Sequence, residues 1–241
     1  MAHLLLIETS TKVCSVGISH QGNLISLEED HSANYGHAGK LTLMIEHTMK
    51  QAGISFEKLS GVAVSKGPGS FTGLRIGVSA AKGICFGKDL PLIALDTLQA
   101  MALHCLQLKS KELPESAQGE KPLLLCPMID ARRMEVYCAL FDQKATPLSP
   151  IQALVVEQNT FLSFLENKRM VFFGDGAAKC SEVIAHSNAI VFGDVFPSAR
   201  GMASLAYEKY SVRSFESLAY FEPYYLKDFV AGKPKVKGLY G

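Results

Sequence analysis

The chain has 241 residues, with 24 Lys and Arg against 23 Asp and Glu, so its formal net charge is +1. Apolar residues make up 48% and charged ones 20%, enough apolar surface to offset chain entropy, which excludes global disorder. A near-neutral balance also argues against a freestanding nucleic-acid binder, because such proteins carry a basic excess that displaces counterions from phosphates.

The first thirty residues read as three short strands: Leu4–Ile7, Val13–Ile18 and Leu24–Leu27, the last two joined by the turn His20-Gln21-Gly22-Asn23. Short strands divided by Gly- and Asn-containing turns predict an antiparallel meander. A helix is expected from Ala38 to Ala52, closed by Gly53 as a left-handed cap. Next come the strand Val62–Val64, the glycine-rich stretch Lys66–Ser70, a helix over Thr72–Phe86, the strand Pro91–Leu95 and a helix from Thr97 to Leu106.

Residues 109–121 are polar and carry Pro and Gly, so they form the best boundary in the chain. After them the order repeats. Leu123–Ile129 ends in Asp130 as Leu4–Ile7 ends in Glu8, Val136–Phe141 resembles Val13–Ile18, and Ala153–Val156 is the third strand. A helix at Thr160–Glu166 precedes the strand Val171–Phe173, the turn Gly174-Asp175-Gly176 and a further helix; a last helix spans Ala199–Tyr210 before a tail rich in Tyr, Lys and Gly. One order of elements used twice implies an α/β protein of two similar lobes, each a mixed sheet with flanking helices. The expected division is 1–108, a linker at 109–121, and 122–241, with the last helix and tail free to return to the first lobe.

No apolar run reaches the length that spans a bilayer, and the N-terminus lacks the pattern of a secretory signal. The six cysteines (Cys14, Cys85, Cys105, Cys126, Cys138, Cys180) are scattered, with no C-x-x-C pair, and read as reduced core thiols of a cytoplasmic protein with no membrane partner.

The most distinctive segment is Lys66-Gly-Pro-Gly-Ser-Phe-Thr-Gly-Leu-Arg-Ile-Gly77. It is neither a Walker loop nor a dinucleotide fingerprint, and reads as a tight turn before a helix. Gly73, Gly77 and Gly83 within that helix each cost about 0.8–1 kcal/mol relative to alanine, which requires a return. Gly73, Gly77, Ala80 and Ile84 share one helical face, so either the protein's own sheet or a partner helix approaches closely there. In the preceding helix Leu41, Met44, Ile45 and Met49 face a core, while Leu43 and His47 lie on another flank. Leu43 is then apolar where solvent is expected, which favours a helix-pair surface for a partner. On that expectation Gly77→Leu blocks the complex by bulk and leaves the monomer folded.

The histidines have no metal-site spacing: His31 and His37 are six apart, and neither H-x-x-x-H nor H-E-x-x-H occurs. Ser70 sits in a glycine turn with no base assigned to it. Asp130, Arg132, Arg133 and Glu135 form either a charged cleft cluster or a solvated turn.

Four segments, Leu6–Val16, Gly67–Gly77, Ile129–Tyr137 and Glu222–Leu226, together resemble the TsaB (YeaZ-type) proteins, in order and over nearly the whole chain. That resemblance implies the two-lobed actin-like (ASKHA, ribonuclease H-like) fold shared with Hsp70 and sugar kinases. It implies a non-catalytic subunit required for threonylcarbamoylation of the adenosine beside the anticodon, in tRNAs reading codons that begin with adenine. Its implied partners are the catalytic paralogue TsaD and the ATPase TsaE, with a homodimer when alone and tRNA contacted only through the complex. The family interface corresponds to helices 38–52 and 72–86, so Leu43, His47, Gly73, Gly77, Ala80 and Ile84 are expected at the partner surface. Actin-like ATPases place glycine after the acidic residue ending the first strand of each lobe. Here Glu8 is followed by Thr-Ser-Thr-Lys and Asp130 by Ala-Arg-Arg-Met, so the two acids are expected to mark a vestigial nucleotide cleft. No resident cofactor or metal is expected, which leaves a nucleotide at a subunit junction in the complex. His37 stands where relatives often carry histidine, with no metal role attached.

Two other classes compete: an actin-like ATPase or kinase, or a peptidase using Ser70; and a self-sufficient RNA binder using the tail lysines Lys227, Lys233, Lys235 and Lys237, which otherwise read as a solvated terminus.

Overall fold

The computed structural model describes residues 2–32, 37–114 and 121–227, which form two five-stranded sheets. The first contains β1 (His3–Glu8), β2 (Cys14–His20), β3 (Asn23–Asp30), β4 (Gly61–Gly67) and β5 (Leu92–Asp96), in spatial order β3-β2-β1-β4-β5. β1 to β3 are an antiparallel meander, and β4 and β5 run parallel to β1. The second contains β6 (Leu123–Asp130), β7 (Glu135–Cys138), β8 (Gln152–Val155), β9 (Arg169–Phe173) and β10 (Ala189–Phe192), in the matching order β8-β7-β6-β9-β10 with the same directions. The fold is therefore α/β, two lobes of actin-like architecture, each built on a ribonuclease H-like mixed sheet.

Alternation along the central strands explains how each sheet is covered on both faces. Leu5 and Ile7 of β1 join one core with Leu41, Met44, Ile45 and Met49 of α1 (His37–Ala52) and Val78, Ala81 and Cys85 of α2 (Phe71–Lys88). Leu4 and Leu6 point the other way, toward Ala100 of α3 (Thr97–Leu108) and a short 3₁₀ turn, Ala199–Met202, that leads into α6 (Ala203–Ser211). In the second lobe Leu123, Leu125 and Ile129 of β6 pack with Leu98, Met101, Ala102 and Cys105 of α3. Leu124, Cys126 and Met128 face α4 (Leu162–Leu165) and α5 (Asp175–Cys180). So α3 supplies side chains to cores of both lobes, and α6 comes back to the first sheet.

Three elements differ from the sequence expectation. β10 has no counterpart in it, because four half-buried residues at a sheet edge leave too short a pattern to read. The expected helix 199–210 begins instead as a 3₁₀ turn. There Gly201 lies against α3, where an added Cβ would stand 2.1 Å from the Ala100 carbonyl oxygen, and this contact accompanies a tightened first turn. The strand expected over Val136–Phe141 stops at Cys138, with Phe141 making an isolated bridge to Leu125. Residues 115–120 of the expected linker lie outside the described residues.

Candidate functional site

In open α/β sheets, ligands gather at the carboxyl ends of the strands. Each lobe here has a turn at that end of its first strand, and the two turns are built differently.

In the first lobe, Thr9, Ser10 and Thr11 are buried although they form a polar turn. What covers them is the start of α2. A Cβ added at Gly69 would stand 2.3 Å from the Ser10 carbonyl oxygen, one at Gly73 2.1 Å from the Thr9 carbonyl oxygen, and one at Gly77 2.2 Å from Thr9 Oγ1. Only glycine permits that approach. The Ser70 amide donates to the Ser10 carbonyl at 2.6 Å and Thr9 Oγ1 donates to the Gly73 carbonyl at 2.8 Å as the helix settles on the turn, while the buried Ser10 Oγ has no hydrogen-bond partner. The C-terminal Glu222–Leu226 segment closes over the same place. Tyr224 N–H donates to the Lys66 carbonyl at 2.7 Å, and Tyr225 packs on Phe71 and accepts from Arg75 Nε at 3.1 Å.

Two expectations are corrected here. Gly73 and Gly77 are not partner-facing: they are spent on the protein's own turn, which was the competing reading of the small-residue face. The same contact overturns the expectation that Gly77→Leu leaves the monomer intact. Glu8, expected to mark a vestigial nucleotide cleft, is fully buried, with Oε1 accepting from the Ser10 amide at 2.6 Å and from Ser65 Oγ at 2.9 Å. Its Oε2 has no hydrogen-bond partner, and burial pushes the carboxyl above its ordinary range against the pull of Ser10 and Ser65.

The outer face of α1 and α2 is different again. Leu43 is 55% exposed, and His47 is exposed and 3.6 Å from a Glu28 carboxylate oxygen. Ala80 and Ile84 are half-buried against the core of their own lobe, so they contribute at most their edges. Sequence reasoning missed Phe86, which is 83% exposed, and the value of Gly83, where an added Cβ would meet nothing within 4 Å. A signal was present: Leu74, Val78, Ala81 and Cys85 form the buried stripe of α2, and Phe86 lies beside it rather than on it.

The turn of the second lobe is open. Asp130 is exposed and pairs with Lys179, which also donates to the Glu135 carbonyl. The Asp130 amide donates to Asp175 Oδ1 at 3.0 Å. Burial pushes the Asp175 carboxyl up, while the bond to the Asp130 amide and the charge of Lys12 pull it down. Lys12, in the first lobe, lies 5.1 Å from the centroid of the Phe196 ring. Arg132 and Arg133 are exposed and both have positive φ, 73° and 51°, at the tip of the β6–β7 hairpin. A left-handed conformation costs an ordinary residue about 1–2 kcal/mol, and Gly or Asn would adopt it at lower cost. No hydrogen bond joins Glu8 to Asp130 among the described residues.

Ser70 caps α2: its Oγ accepts from the Gly73 amide at 3.2 Å, and among the described residues no histidine or carboxylate bonds to it. All six cysteines are buried free thiols. Among the described residues, no group of three or more His, Cys, Asp and Glu side chains is placed to hold a metal ion, and no helix is long and apolar enough to cross a membrane. His37 starts α1, but its side chain lies outside the described residues, as do Lys233, Lys235 and Lys237; Lys227 pairs with Glu135.

Residues 31–231 match the family model of TsaD, tRNA N6-adenosine threonylcarbamoyltransferase. The chain belongs to this family. Two relatives that it matches over nearly their whole length are named TsaB. The tRNA threonylcarbamoyladenosine biosynthesis protein TsaB of Haemophilus influenzae is 29% identical, covering 95% of both chains, and that of Escherichia coli is 28% identical, covering 95% of this chain and 96% of its own. By contrast, the tRNA N6-adenosine threonylcarbamoyltransferase of Halalkalibacterium halodurans is 34% identical over 44% of this chain but only 34% of its own length. Among solved structures, a Pseudomonas aeruginosa protein described as similar to the peptidase YeaZ superposes with a TM-score of 0.80 at 23% identity, covering 94% of this chain and all of that one. That likeness concerns the fold.

Proposed function

We propose that the chain is a non-catalytic subunit in the formation of threonylcarbamoyladenosine in tRNA, acting by binding and activating or stabilising a TsaD-type transferase together with a TsaE-like ATPase. The observation that carries this reading is the filled turn of the first lobe. Where an actin-like enzyme wraps phosphate with backbone amides, Thr9 and Ser10 are roofed by α2 at glycines where an added Cβ would stand only 2.1–2.3 Å from atoms of the turn. The chain is therefore assigned no resident cofactor, and a nucleotide would sit at a junction with its partners. Ser70, committed to capping α2, gives a peptidase no activated nucleophile.

The partner surface assigned here is the outer face of α1 and α2, with Leu43 and Phe86 as apolar anchors, His47 one turn from Leu43, and the edges of Ala80 and Ile84. Exposed apolar side chains on neighbouring helices are suited to helix-on-helix docking, and the open space at Gly83 allows close approach. The same face closes on a second copy when the transferase is missing. This reading places the protein in the cytoplasm and brings tRNA to it only through the complex.

The test is reconstitution of tRNA modification from this chain, the transferase and the ATPase, each omitted in turn. The Leu43→Asp/Phe86→Asp variant is expected to keep the parent's melting temperature, to stop co-eluting with the transferase, and to reduce modification to the level of omission. Undiminished co-elution would remove the surface assignment. ATP hydrolysis by the pure chain above background would replace the accessory reading with an enzymatic one.

A further inference from the structure

We infer that Arg132 and Arg133, at the tip of the β6–β7 hairpin, contact the sugar-phosphate backbone of tRNA when the chain is assembled with its transferase partner. This rests on the reading that the chain acts in tRNA modification. Two adjacent arginines in the left-handed region are a poor choice for making the turn, since Gly or Asn would adopt those conformations at lower cost. Among the described residues neither guanidinium takes part in an ion pair, and the bonds of the turn are made by backbone groups and the Asp130 carboxylate. A local rule broken without a structural return points to a use outside the chain.

The charge around the hairpin agrees. Beside Arg132 and Arg133, Lys179 pairs with Asp130, Lys227 pairs with Glu135, and Lys12 acts electrostatically on Asp175, so five cations stand with three acids in a chain whose whole net charge is +1. Lys179 already matches Asp130 and Lys227 matches Glu135, which leaves the two guanidiniums available. Both are exposed on a projecting turn, so what they meet is extended rather than enclosed, and arginine forks fit phosphate oxygens bidentately. An RNA backbone has that form.

The experiment measures tRNA binding by the assembled complex of this chain and its transferase, by fluorescence anisotropy across a salt series. Two variants are compared with the parent: Arg132→Asn/Arg133→Gly, which supplies the better turn, and Arg132→Gln/Arg133→Gln, which keeps side-chain length. Both are expected to lower affinity by about tenfold or more, and to reduce the slope of log affinity against log salt by about 1–2, as lost phosphate contacts would. The first should also melt higher than the parent, and both should co-elute with the transferase. Unchanged affinity and slope would overturn the assignment. So would loss of ATP binding with tRNA binding intact, which gives the arginines to a nucleotide phosphate, or loss of co-elution in both variants, which gives them to the protein partner. Full modification without this chain would instead remove the accessory reading, and the arginine contact with it.

Discussion

The turns that follow β1 and β6 occupy equivalent places in two sheets of the same strand order, yet one is roofed and the other exposed. The helix after the glycine turn decides which. α2 has 18 residues and glycines spaced to lie on Thr9 and Ser10, whereas α5 has 6 residues. At α5 the close approach is made by Gly174 and Gly176, where an added Cβ would stand 2.3 Å from the Met128 carbonyl oxygen and 2.9 Å from its carbonyl carbon. They touch β6 before its end and leave Asp130 and the arginine tip uncovered. A duplicated fold thus gives one lobe a closed turn and the other a charged, open one, by changing where a helix touches its strand.

The comparison is broken most directly at the closed turn. Gly73→Ala forces a Cβ against a backbone carbonyl that cannot swing aside, and is expected to cost about 2–3 kcal/mol, lowering the melting temperature by about 5–10 °C in thermal unfolding. Next comes Glu8→Gln. The folded carboxyl is pushed up by burial, so the folded state holds a proton that the unfolded chain has released above its ordinary value of 4.5. Stability from this group is therefore complete below that value and is lost as pH rises toward the folded pKa. The glutamine variant keeps an acceptor for Ser10 and Ser65, and its unfolding free energy, measured by denaturant titration from pH 5 to 8, should fall less steeply with pH than the parent's.

A smaller effect of opposite sign sharpens the contrast within α2. Gly83→Ala places its Cβ in open space and recovers about 0.8–1 kcal/mol of helix propensity, so the monomer should melt about 2–4 °C higher. Two glycines ten residues apart on one helix should then respond in opposite directions. The smallest change is expected at the open turn: Lys179→Ala removes a partly exposed ion pair with Asp130 and should cost about 0.5 kcal/mol. An effect as large as that of Gly73→Ala would mean that the second turn is also structurally closed.

Much of the fold was legible in the chain. The alternation in Leu4–Ile7 sends neighbouring leucines into two different cores, and the recurrence of strand, Gly-x-Gly and helix marks the duplication. The candidate site was legible only in part. Leu43 stood out because it lies off the buried stripe of α1, and Phe86 could have been found by the same test on α2. The small-residue face of α2 was recognisable as a surface of close approach, but not the identity of what approaches it.

The order of strands and helices, the two-lobe plan and the presence of an unusually small helix face follow from the sequence, because periodicity and glycine cost are local properties of the chain. Tertiary structure alone assigned Gly73 to Thr9, 64 residues away, buried Glu8, brought Tyr224 back to Lys66, and put Arg132 and Arg133 in left-handed conformations on an open tip. Each of these is a relation between distant segments or a consequence of strand register, and van der Waals exclusion over 2–3 Å cannot be read from one segment alone.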